Sequence, residues 1–358
     1  MFKTRDRQQR LLQEIVATVW RCLMVLMVGL ACSLPSQATQ ILRVLTWPGY
    51  ADNDLVKAFE KQQGVRVEVS FVSSDEVLRK KISANQGGDF DVFAANTAEL
   101  QHYIGQKLVV ALRLANIPNT AHQLPRFRDA RSIPGITQLG EVYAVPYTYS
   151  EMGLIFDRKQ FRDAATSLSA MWDPQYRGRV LAFNTSSHNF SIASLLLGGQ
   201  PFRIEDQNFK KVVNHLIALR RNALTFYTLP EESVEQFRQH SAALLFANYG
   251  RQQFKLLRDA GADVGYVIPV EGALAWLDCW AVTRGVKNKA LAERWINYML
   301  DKKVSAELTR RHGLSNTIEA ETALQPTDKL IWLEPVEDDK RRATLWDRIM
   351  SGDVPAKF

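Results

Sequence analysis

Cysteine is scarce in this chain, with three in 358 residues. Two of them, Cys22 and Cys32, fall in an N-terminal segment of export character, so only Cys279 is left for the folded body. No internal disulfide can form there, and stability has to come from a buried core. No two of the six histidines stand three or four residues apart, which leaves a zinc motif without ligands at the needed spacing. There is no Gly-x-Ser-x-Gly, no Walker loop and no Gly-x-Gly-x-x-Gly, so nucleophile-elbow, phosphate-cradle and dinucleotide chemistry lack support. A long hydrophobic run is also missing. The apolar stretch at 22–32 covers 11 residues, short of the ~20 that a membrane span needs. No internal repeat or low-complexity segment interrupts the chain.

What is present fits a globular protein. Apolar residues make up 46% and charged residues 23%, with mean hydropathy −0.19, and the length suggests two domains at about 100–200 residues each. The net charge is +7 with a pI near 9.2, a value that raises the question of an anionic partner. Residues 1–38 hold five basic and two acidic side chains. Without them 40 basic and 36 acidic residues remain, a charge of +4 over 320 residues. The longest basic clusters, Lys340-Arg341-Arg342 and Arg310-Arg311, read as solvated helix surface, so no nucleic-acid partner is expected. The front end has a basic start, the short apolar run and then Ser36-Gln37-Ala38. That layout predicts a signal peptide cleaved after Ala38 and export from the cytoplasm. Gly29, where a lipobox prefers an aliphatic residue, disfavours anchoring through Cys32.

Residues 41–47 form a nearly continuous β-prone run, stopped by Pro48-Gly49, as in a strand buried on both faces. A helix is expected over 53–63, a strand over 65–72, a capped helix from Ser73-Ser74-Asp75-Glu76, a strand over 90–95 and a helix from Thr97. Strand and helix alternate, which predicts a parallel, doubly wound α/β sheet with ligand at the carboxyl ends of its strands. Residues 142–156 read as two extended stretches with Pro146 near the break, a crossing into a second lobe. That lobe is expected to hold strands at 179–183, 243–248 and 264–268 and helices near 190–197 and 209–220, before 273–282 returns to the first. A helix follows at 291–300.

The informative local pattern is Ala273-Leu274-Ala275-Trp276-Leu277-Asp278-Cys279-Trp280-Ala281-Val282. In a strand, side chains alternate, so Trp276, Asp278 and Trp280 share one face while Leu277 and Cys279 share the other. Burying an unpaired carboxylate is costly. Asp278 therefore calls for a backbone donor, a basic partner or a cationic ligand, and indole faces beside it would add cation–π attraction. Catalysis by Cys279 would have to work from the opposite face, so no enzymatic activity is expected.

Several stretches carry a family resemblance: Leu45-Thr46-Trp47-Pro48-Gly49-Tyr50, Phe90-Asp91-Val92-Phe93-Ala94-Ala95-Asn96-Thr97, Val145-Pro146-Tyr147, Met171-Trp172-Asp173-Pro174-Gln175-Tyr176-Arg177-Gly178-Arg179-Val180, Pro269-Val270-Glu271-Gly272 and Trp276-Leu277-Asp278. In this order they resemble the periplasmic solute-binding proteins of spermidine/putrescine (polyamine) ABC transporters. The resemblance implies a type II periplasmic-binding fold of two doubly wound α/β lobes with a ligand cleft between them. The expected division is residues 39–145 with 274–313 for one lobe and 146–273 with 314–358 for the other. It further implies a small amine-bearing ligand such as putrescine or spermidine, an ABC permease and its ATPase as partners, a monomer, and no cofactor or metal.

Carried over by position, Trp47 and Tyr50 would line the ligand channel and Trp276 with Asp278 would hold an amino group. Asn96 stands at the family's serine. A second-lobe aromatic wall falls at 246–249, with Phe246 and Asn248, and a late aromatic is Trp332. The chain departs from the family at Gly49, where an acidic residue is usual, and at Asn184-Thr185-Ser186-Ser187-His188, where Thr185 and His188 replace second-lobe carboxylates. Other readings on the same fold are a zwitterionic ligand, a periplasmic sensor whose liganded form binds a receptor, and a Cys279-dependent enzyme.

Overall fold

The computed structural model describes residues 18, 20, 39–161, 163–320 and 327–358. The expected export signal, with Cys32, lies outside the described residues except for 18 and 20. The chain divides into Met1–Gln40 and Ile41–Phe358, and every strand among the described residues belongs to the second unit.

Strand β1 (Ile41–Thr46) leads through helix α1 (Asn53–Gln63) to β2 (Arg66–Phe71), and helix α2 (Asp75–Ser83) leads on to β3 (Val92–Asn96) and α3 (Thr97–Gly105). β1 pairs in parallel with both β2 and β3. The caps explain where the helices begin. The Ser74 hydroxyl accepts from the Val77 amide, and the Asn96 side-chain oxygen accepts from the Glu99 amide at 3.0 Å, each satisfying an orphan donor of a first turn. A short hairpin of β4 (Thr137–Gln138) and β5 (Glu141–Val142) precedes β6 (Ala144–Glu151).

The chain then leaves this sheet. A second sheet has the order β11-β7-β10-β8-β9, built from β7 (Leu154–Asp157), β8 (Val180–Phe183), β9 (Ala223–Tyr227), β10 (Leu244–Phe246) and β11 (Val264–Val267). Its helices are α4 (Ser186–Leu196), α5 (Asp206–Asn222), α6 (Pro230–Gln239) and α7 (Arg251–Asp259). The chain returns as β12 (Ala273–Val282), continues through α8 (Lys289–Met299) and α9 (Lys302–His312), and adds β13 (Ser315–Asn316), β14 (Leu330–Trp332) and α10 (Asp339–Met350). The first sheet runs β13-β6-β12-β3-β1-β2, with β14 on β12. This is the two-lobed type II periplasmic-binding fold.

Three details differ from the sequence expectation. The break in 142–156 falls at Met152-Gly153 and not at Pro146, which sits inside β6. Proline is tolerated there because the β6–β12 ladder shifts register between Asp278 and Cys279, pairing Thr148 with the first and Pro146 with the second. Tyr147 is the extra residue of this bulge, a device that re-aims side chains next to functional sites. Lobe limits at 145/146 and 313/314 would cut β6 and assign β13 and β14 to the wrong sheet. Finally, α4 begins at Ser186, several residues before the apolar stretch that suggested it, so its first turn is the polar Ser186-Ser187-His188.

Candidate ligand-binding site

β12 is buried along its whole length, and its register builds the site. Asp278 lies opposite Asn96 of β3 on one side and Thr148 of β6 on the other. Leu277 and Cys279 point into a separate apolar cluster with Leu45, Phe93 and Tyr149, as the alternation requires. There the Cys279 thiol is fully buried, which pushes its pKa up.

Asp278 is 5% exposed. Its Oδ2 accepts a hydrogen bond from the Tyr50 hydroxyl at 2.7 Å, and among the described residues no cation pairs with it and no donor reaches Oδ1. Burial pushes the Asp278 carboxyl up to about 7, with the Tyr50 hydrogen bond working against the rise. The Tyr50 phenol is driven well above its ordinary value by its own burial and by the neighbouring carboxylate. Tyr50 is held in turn by an edge-on contact with Tyr147, ring centroids 5.5 Å apart, which ties the bulge to the site.

The walls come from both sheets. Trp47 donates its Nε1 hydrogen to the Ala94 carbonyl at 3.2 Å, and Trp276 donates to the Asn248 carbonyl at 3.0 Å. The second bond joins the first sheet to the loop after β10. The Tyr249 hydroxyl donates to the Thr228 carbonyl at 2.7 Å. His188 meets the Asn248 side-chain oxygen through Nδ1 at 2.8 Å. Because an amide oxygen only accepts, Nδ1 carries the proton and Nε2 keeps a lone pair. Burial lowers the His188 pKa, so the ring is neutral. These groups enclose a cavity of about 50 Å³ around Asp278. It adjoins a wider cleft of about 550 Å³, with Asp75, Asn96, His188 and Leu333 lining both.

Of the residues expected at the site, Trp47, Tyr50, Asn96, His188, Asn248, Trp276 and Asp278 line the inner cavity. Phe246 does not: it is fully buried in the core of the second sheet, and Asn248, just past the end of the strand, reaches the cavity. Thr185 is buried ahead of α4, where its carbonyl accepts from the Asn189 side chain at 2.7 Å, and Ser186 and Ser187 line the outer cleft instead. Trp332 is 39% exposed and points toward Tyr149, with centroids 6.4 Å apart. It is Leu333, one residue on and so on the opposite face, that reaches the cavity. Trp280 shares the Asp278 face but lies in the core against Trp295, centroids 6.0 Å apart, so Asp278 has one indole neighbour on its own strand and the other from Trp47.

Tyr249, the last residue of the expected second-lobe aromatic wall, lines the cavity, and the residues that sequence reasoning missed are Asp75, Gln252 and Leu333. In sequence Asp75 reads only as part of a helix cap. The available signal is its place just beyond the carboxyl end of β2, on the binding edge of a parallel sheet. The departure at Gly49 also finds its reason. Its φ is +86°, a conformation that residues other than glycine adopt only under strain, and a Cβ there would crowd Gln252 Nε2 at 2.9 Å and His312 at 3.2 Å, so an acidic side chain would be strained there.

Comparison with known proteins agrees with this architecture. Residues 54–329 match the family described as bacterial extracellular solute-binding protein. The chain is 25% identical over 290 residues to spermidine/putrescine-binding periplasmic protein 1 of Haemophilus influenzae, covering 80% of this chain and 78% of that protein. It is 24% identical over 345 residues to the putrescine-binding periplasmic protein PotF of Escherichia coli, covering 87% and 91%. The crystal structure of the PotD lipoprotein of Treponema pallidum superposes with a TM-score of 0.71 at 18% identity, covering 87% of this chain and 98% of that one. With a family match across most of its length and the same two-lobed fold around an interlobe cavity, this chain belongs to the bacterial extracellular solute-binding proteins.

Proposed function

We propose that the chain is the extracytoplasmic receptor of an ABC importer and that its cargo is a small alkylammonium compound of the polyamine class, such as putrescine or spermidine. The observation that carries this is Asp278: a buried carboxylate with one oxygen unpaired, no cation beside it among the described residues, and Trp47, Tyr50 and Trp276 around it. An ammonium placed there would supply the missing counter-charge, and the aromatic faces would stabilise it further. Polyamine-binding names among the relatives support the ligand class. Their periplasmic location supports export, with a permease and its ATPase as partners. In this reading one lobe is residues 41–151 with 273–316 and 330–332, and the other is 154–267 with 339–350. Calorimetric titration with putrescine, cadaverine, spermidine and a panel of amino acids tests it. Saturable binding of at least one amine, absent in Asp278→Asn, is the expected result; binding that survives in Asp278→Asn would remove Asp278 from the site.

A further inference from the structure

The inner cavity holds a second carboxylate, Asp75, at the start of α2. Both of its oxygens accept from the Asn96 side-chain amide, at 3.1 and 3.2 Å, and Asn96 lies directly across the ladder from Asp278. One asparagine thus stands between two carboxylates, each lining the same cavity.

Asp75 has no cation of its own among the described residues. The neighbouring guanidinium, Arg79, is already taken: its Nε donates to Glu99 Oε2 at 3.0 Å and its Nη1 to Asp339 at 2.9 Å. Burial, reinforced by Glu99, Glu76 and Asp278 and opposed by Arg79, pushes the Asp75 pKa well above its ordinary value. The facing wall contributes His188, Asn248, Tyr249 and Gln252 to the cavity, none of them acidic. Its acceptor is the unpartnered Nε2 of the buried, neutral His188. Negative charge in the inner cavity therefore comes from the first sheet alone, from two carboxylates.

We propose that Asp75 is the second counter-charge of the site, so that a short diamine is held with one ammonium on Asp278 and the other between Asp75 and His188 Nε2. This rests on the amine-receptor reading above and narrows it to a dication. A third amino group would project into the outer cleft, where Glu76 and Glu334 are exposed; exposed charge pairs are screened, so spermidine gains less than about fivefold over putrescine.

The test is titration of the full chain, wild type, Asp75→Asn and Asp278→Asn, with putrescine, spermidine and butylamine. Asparagine keeps the shape of Asp75 and is compatible with a helix start, and circular dichroism checks that the free variants are folded. Asp75→Asn is expected to weaken putrescine by about tenfold to a hundredfold, the loss for one charge-assisted contact, while butylamine stays within about threefold of wild type. Putrescine affinity within threefold of wild type in Asp75→Asn, combined with loss in Asp278→Asn, overturns the inference and leaves the receptor reading standing. An equal loss for butylamine and putrescine in Asp75→Asn also overturns it, since Asp75 would then act only by positioning Asn96. If no amine binds the wild type, the receptor reading fails and this inference with it.

Discussion

Asp278 carries a cost in the free protein that the proposed ammonium would offset. In the free protein its carboxyl is pushed up to about 7 from 3.8 by burial, so the folded state holds the proton more tightly than the unfolded chain. The stability this contributes is fully present below about pH 4 and is lost as pH rises towards 7. Asp278→Asn removes the penalty. In the absence of ligand the variant is expected to match or exceed wild type above pH 7, by up to about 4 kcal/mol, as measured by urea unfolding at pH 5 and pH 8. In the proposed receptor role the same protonation opposes binding of an ammonium. If the ionised carboxylate receives an ammonium, amine affinity rises about tenfold between pH 6 and pH 8, which titration across that range will show. The alternation at 276–280 identified this residue from sequence, because a carboxylate between indoles in a β-prone run demands a partner. Asp75 carries no such local mark. Its helix-start role is visible in Ser74-Asp75-Glu76, but its place in the cavity depends on Asn96 arriving from β3.

At the scale of elements, the site depends on how strands leave one sheet and enter another. The bulge at Tyr147 brings that ring against Tyr50 and is invisible to periodicity, since only the β6–β12 register reveals it. The loop after β10 makes a close approach of the same kind. Gly250 has φ +58°, and a Cβ there would lie 2.0 Å from Ser150 Oγ and 2.7 Å from the Glu151 carbonyl. Gly250→Ala is therefore expected to destabilise the fold by roughly 2 kcal/mol or more and to weaken ligand binding by displacing Asn248 and Tyr249. The denaturant midpoint measures the first effect and titration the second. Nearly continuous apolar, β-prone runs located β1 and β12 within a residue and β3 within two. Such patterns missed β9 and β14, because a mixed apolar and polar run such as Ala223–Tyr227 has no clean period, and the family resemblance misplaced Trp332, whose facing is set by its pairing with Ala275.

For the whole molecule, contacts between the two sheets span the candidate site. Trp276 donates to the Asn248 carbonyl within the buried cavity. Arg79 of α2 reaches Asp339 of α10 at the mouth of the cleft, with side chains 29% and 46% exposed. The exposed pair is screened and is worth little, so Asp339→Asn should change amine affinity less than about threefold. Trp276→Phe removes a buried donor and leaves the Asn248 carbonyl unpaired, a loss of about 1–3 kcal/mol, or roughly fivefold to a hundredfold. The loss should lie mainly in the dissociation rate, which stopped-flow tryptophan fluorescence can separate from association.

The alternating α/β pattern, the strand at 273–282 and the carboxylate on its inward face were legible in the residues alone. These follow from local periodicity and composition, which act over a few residues. That Asn96 lies across from Asp278, that Asp75 joins them, that Phe246 and Trp332 face elsewhere and that His188 is a neutral acceptor emerged only with the folded chain. Each of these is a matter of register between strands far apart in the chain or of burial by the opposite sheet, and neither is written in any single stretch of residues.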